Sequence, residues 1–144
     1  MTFPNPIAGM VIRYAYLWQS EHKQGIEEGG KDRPCAILLT VANDAGDQKV
    51  IVLPITHTPP YDPTLAIEIP QATKRRLNLD DDRSWIVLAE ANRFTWPGPD
   101  LRPMKSGNVS SVVYGELPAD LFRKVREAWL ALAATRRSVV IRTE

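Results

Sequence analysis

Four side chains have the chemistry to act together on a phosphoryl group: Arg33, Thr56, Glu90 and His57. Arg33 precedes Pro34, which biases its backbone toward extended conformations. A guanidinium fixed in that way can meet negative charge building on phosphoryl oxygens with paired N–H donors. The alternative role for Arg33 is to pin its own loop to a carboxylate such as Asp32 or Glu28. Thr56 offers a hydroxyl that can donate to a phosphate oxygen or orient an attacking group, although a threonine closing a strand is often only a turn former. General acid–base work needs a group that holds and releases a proton near neutral pH, and the candidates are Glu90, His57 and the adjacent Glu27 and Glu28.

The elements that must position these groups lie between Gly29 and Thr56. A charged, glycine-opened turn ends in Arg33-Pro34 and runs into an apolar strand, Cys35 to Val41. The turn Asn43-Asp44-Ala45-Gly46-Asp47 reverses the chain, and a second apolar strand, Val50 to Leu53, delivers Pro54-Ile55-Thr56. In an antiparallel pair, the residue before the first strand and the residue after the second share one end. Arg33 and Thr56 are therefore expected to be neighbours although 23 positions separate them.

These pieces resemble the PemK/MazF family of toxins from bacterial toxin–antitoxin pairs. The matching segments are Gly9-Met10-Val11-Ile12, the turn GGKDRP with its following strand, PIT before a polar loop, and Ile86 to Glu90 as a strand with an acidic end. They extend over roughly residues 8–133. The resemblance implies an SH3-like barrel with a C-terminal α-helix, a homodimer, and metal-independent cleavage of single-stranded RNA by 2′-hydroxyl attack, with no cofactor. It also implies a cognate antitoxin whose flexible segment fills the RNA groove. Arg33 falls on the family's catalytic arginine and Thr56 on its second position. Glu90 stands where some members carry a catalytic aspartate, one methylene shorter. Leu88 replaces an arginine that some members use, and Glu27 stands near the place of a first-loop histidine, with His22 further back. His57 is the candidate to take over that proton role. RNA contacts are expected from Arg13, Glu28, Lys31, Asn92 and Arg93, with Lys74, Arg75 and Arg76 either joining them or forming the solvated side of a short helix. Trp18, Tyr61, Phe94 and Trp96 are possible stacking faces, and Trp96 is the one most open to binding or dimer packing.

Composition narrows the alternatives. Lys and Arg total 18 against 17 Asp and Glu, a net charge of +1, which argues against a duplex-coating DNA binder. Two histidines, one cysteine and no paired ligand spacing argue against zinc, and Asp80-Asp81-Asp82 reads as a solvated turn rather than a magnesium site. Cys35 reads as a buried structural thiol. A single cysteine, no signal-like N-terminus and no membrane-length apolar run lead to the expectation of a cytoplasmic protein.

The chain reads as one domain with a loose N-terminal arm at 1–7 and a tail at 136–144. Strands are expected over Gly9–Trp18, Leu65–Ile69, Ser84–Leu88 and Val109–Tyr114, the last broken by Gly115. A short helix is expected over Gln71–Leu77, and Asn92–Pro103 reads as a connection. Pro118 opens a helix with Leu121, Phe122, Val125, Trp129 and Leu132 on one face and an Arg123–Glu127 pair on the other. Many short strands between Gly and Pro turns make a barrel or sandwich. Two further readings stay open: a non-enzymatic toxin using the same barrel, like gyrase inhibitors, and a plain module that binds protein or nucleic acid.

Overall fold

Two long strands, β2 (Arg33–Ala42) and β3 (Gln48–Thr56), carry the architecture of the computed structural model, which describes residues 3–25, 31–43, 45–105, 108–132 and 134–142. Both faces of this hairpin are covered, so its sequence is a nearly continuous apolar run rather than an alternation. Cys35, Ile37, Val50 and Val52 enter one core cluster, with Ile12, Tyr14 and Phe94. Ala36, Leu38, Leu53 and Ile55 enter the other, with Ile86, Leu88 and the buried face of the C-terminal helix.

Around the hairpin the strands β1 (Met10–Tyr14), β4 (Ala66–Glu68), β5 (Trp85–Val87), β6 (Glu90–Thr95), β7 (Val113–Glu116) and β8 (Ser138–Ile141) complete a mostly β, barrel-like sheet. The path runs β4-β5-β3-β2-β1-β7, with β6 also on β3 and β8 on β6. All pairings are antiparallel except β6 with β8. β3 curls the sheet by dividing one edge: Lys49–Val52 pair with β6, and Ile55–Thr56 pair with β5. The helices are α1 (Gln19–Lys23), α2 (Gln71–Arg76) and α3 (Ala119–Ala131).

On α3, Leu121, Val125 and Trp129 are buried at the expected helical spacing, followed by Leu132. Each such side chain contributes about 1.5–3 kcal/mol by leaving water. The polar-face pair differs from expectation: Arg123 meets Asp120 at 3.4 Å, one turn back, rather than Glu127. Gly115 does not end β7 but lies within it, at φ 146°. A Cβ there would stand 2.8 Å from Leu77 Cδ2, so glycine lets the end of α2 pack directly on the strand.

Further expectations are corrected. The N-terminal arm is docked: Phe3 packs on the second cluster and Pro4 O accepts from Trp96 Nε1 at 3.0 Å. That contact holds Trp96 half-buried instead of open for binding. Asn92–Pro103 begins inside β6, which pairs with β3 on one side and with β8 of the tail on the other. The tail also carries Arg142, 5% exposed, which donates to Ala15 O at 2.7 Å and Asn92 Oδ1 at 3.1 Å and pairs with Asp100 at 3.0 Å.

Candidate active site

The β2–β3 register sets Cys35 opposite Pro54 and Ala36 opposite Leu53. Continued two residues, it places Arg33 opposite Thr56 at one end of the barrel, both half-buried. Directly opposed residues present their side chains on one face. Tyr14 opposes Arg33 from β1, and beyond it the chain carries Tyr16 and Trp18 on the same alternation. The Arg33 guanidinium lies over the Trp18 ring, 4.8 Å from its centroid, and Tyr16 meets Trp18 edge-on at 5.1 Å.

Arg33 pairs with no carboxylate among the described residues, and its buried Nε has no hydrogen-bond partner. The loop-pinning alternative through Asp32 is excluded, since Asp32 is shared by Arg13 at 3.6 Å and Arg102 at 3.5 Å. Glu27 and Glu28 lie outside the described residues. The Nε is buried, but the half-buried residue carries further guanidinium N–H donors and lines a cleft through which an anion could meet them.

Glu90 begins β6 on the same face. Its Oε1 accepts from Tyr16 Oη and from Gln19 N, each at 3.0 Å, which leaves Oε2 to carry a proton. Burial pushes the Glu90 carboxyl above the usual carboxylate range. The two hydrogen bonds and the nearby Arg33 charge oppose that shift, while Glu21 adds to it. Tyr16 escaped the sequence reading, although Tyr14, Tyr16 and Trp18 at two-residue spacing are a legible aromatic row.

A cleft of about 290 Å³ beside Arg33 is lined by Lys31, Asp32, Pro34, His57, Lys74, Asp80 and Ser84. Thr56 faces the adjoining groove, which it shares with Trp18. Its hydroxyl oxygen accepts from Thr58 N at 3.2 Å, and the hydroxyl proton remains available to a ligand. His57 is exposed and holds Asp80 at 2.7 Å. Asp80 is stabilised as the anion: burial works against its charge, but hydrogen bonds from Lys74 and His57 outweigh burial and lower its pKa. His57, Asp80 and Asp82 stand close enough to share an ion, yet the Lys74 ammonium already fills the acidic turn.

The expected RNA contacts divide. Lys31 is exposed at the cleft. Arg13 is half-buried, donating to Pro103 O at 3.0 Å besides meeting Asp32. Asn92 is not a substrate contact, because it is fully buried and its amide clamps Leu17 through N–H at 2.9 Å and C=O at 2.8 Å. That clamp positions Tyr16 and Trp18. Arg93 is exposed but on the opposite face of β6 from Glu90. Lys74 is neither solvated nor free: it is 1% exposed and holds Asp80 at 2.5 Å, Ser84 at 2.6 Å and Asp82 O. Phe94 is stacked on Tyr14 at 4.6 Å inside the core. Cys35 is buried as expected, and burial pushes its thiol up.

The chain matches no protein-family model and has no significant match among curated proteins. No helix among the described residues is long and apolar enough to cross a membrane.

Proposed function

We propose that the chain is an endoribonuclease toxin that cleaves single-stranded RNA without a metal ion. The observation that carries this reading is the half-buried Arg33, paired with no carboxylate among the described residues, at the end of the hairpin it shares with Thr56 and near a carboxyl whose proton affinity burial has raised. Arg33 receives the scissile phosphate, and the Thr56 hydroxyl donates to it. The 2′-oxygen attacks phosphorus as its proton passes to a base, the P–O5′ bond breaks, and the departing oxygen takes a proton. Arg33 offsets the charge on the equatorial oxygens. Glu90, through Oε2, is suited to proton transfer; His57 is the second candidate, although Asp80 engages it.

The resemblance to PemK/MazF toxins adds a homodimer, an antitoxin whose segment occupies the cleft, and a cytoplasmic setting. The test uses a DNA strand carrying one ribonucleotide, incubated with the protein and a chelator. Cleavage only after the ribonucleotide, leaving 2′,3′-cyclic phosphate and 5′-hydroxyl ends, supports the reading. An intact strand moves the proposal to a barrel that binds without cleaving. A His57→Ala protein with full cleavage and an unchanged pH profile removes His57 from the mechanism.

A further inference from the structure

The loop between β3 and β4 presents an aromatic ring to solvent on a braced backbone. Tyr61 is 94% exposed. Around it Pro59, Pro60 and Pro63 fix three φ angles. The Asp62 carboxylate accepts from Thr64 N at 2.9 Å and Thr64 Oγ1 at 2.7 Å, and Arg136 donates to its other oxygen at 2.6 Å. The Arg136 hydrogen bond, ahead of those from Thr64, holds the Asp62 carboxyl down at about 2, so the brace is ionised at neutral pH.

Tyr61 borders a groove of about 350 Å³ whose walls include Trp18, Thr56, Pro60 and Val87. Two of its walls tie the groove to the candidate site: Trp18, whose ring lies under the Arg33 guanidinium, and Thr56. A nucleotide's base and phosphate are joined through a single sugar, so a base subsite has to adjoin the phosphate site, as this groove does. Its apolar walls and the exposed ring suit a flat heterocycle rather than a second phosphate, because every base has a π-face to stack.

We infer that the groove is a base subsite, in which the nucleobase beside the scissile phosphate docks and stacks on Tyr61. The inference rests on the ribonuclease reading and names where its substrate is gripped. The braced loop lowers the ordering cost of stacking, as preorganisation does in general.

Binding of a labelled 2′-O-methyl oligoribonucleotide of about ten nucleotides separates the possibilities, since it keeps its bases but cannot be cleaved by its own 2′-oxygens. Anisotropy titrations would compare it with an abasic strand of equal length, on wild type, Tyr61→Ala and Tyr61→Phe proteins. The inference expects tighter binding of the base-bearing strand, a Kd raised about tenfold by Tyr61→Ala, and near-normal binding by Tyr61→Phe. The exposure of Tyr61 makes misfolding an implausible cause of that loss. Equal binding of the two strands, or no effect of Tyr61→Ala, overturns the subsite while cleavage, measured separately, can stand. Base-dependent binding without cleavage overturns the nuclease reading and leaves the subsite. Failure of both strands to bind overturns both.

Discussion

Replacing Arg33 by alanine should separate catalysis from stability, because the structure gives this side chain little to hold. The loss in the folded state is the contact with Trp18, worth about 1 kcal/mol for a half-exposed cation–π pair. Against it stands the relief of an orphaned, buried Nε, a group whose desolvation costs about 1–3 kcal/mol. The two effects have opposite signs, so Arg33→Ala should unfold in urea within about 1–2 kcal/mol of wild type. Cleavage should respond far more. Removing a preorganised donor from a developing oxyanion costs about 3–4 kcal/mol, so kcat/KM for single-stranded RNA should fall by about 10²–10³. Arg33→Lys should recover only part of the loss, since an ammonium keeps the charge but not the paired donors. The reasoning is refuted by Arg33→Ala cleaving within a few-fold of wild type. It is equally refuted by a loss of stability above about 3 kcal/mol, the signature of a buried partner removed.

Glu90→Gln should abolish most cleavage while keeping the acceptor for Tyr16 and Gln19. The folded Glu90 pKa is raised, so its contribution to stability is complete below the ordinary carboxylate value and is lost as pH rises through the folded one. Glu90→Gln should therefore flatten that part of the stability–pH curve and equal or exceed wild type at neutral pH by thermal melting. Lys74→Met should destabilise by about 2–4 kcal/mol in urea, toward the low end for a broken buried pair because Asp80 can be resolvated; an unchanged midpoint would contradict its role as a structural cation. Gly115→Ala should cost about 1–3 kcal/mol, from the close approach to Leu77 and the positive φ together, read as a lowered melting temperature.

The hairpin was legible because its signals are local: a Gly- and Asp-rich turn between two apolar runs fixes the ends of both strands, and the antiparallel register that follows runs to Cys35 opposite Pro54. The α3 face was legible for the same reason, since its period is contained in one segment. What could not be read depends on partners distant in sequence. Asn92–Thr95 belongs to a strand because Lys49–Val52 pairs with it from β3, and Val139–Ile141 returns to flank Ala91–Arg93 on the other side. Asn92 looked like a surface contact because nothing near it in sequence reveals the Leu17 backbone it clamps. Lys74 begins a basic run whose other members, Arg75 and Arg76, are exposed, and the fold-back of Asp80–Ser84 supplies the partners that hold it inward. The groups that anchor the Glu90 carboxyl, Tyr16 and Gln19, lie more than 70 positions away.

The most direct measurement follows the Arg33 guanidinium itself. The account predicts that titrating the 2′-O-methyl oligonucleotide into isotopically labelled protein shifts the Arg33 Nη–H signals downfield, as those donors gain a phosphate acceptor, and shifts the Thr56 methyl signal in parallel. Saturation of binding with both signals unmoved would contradict it.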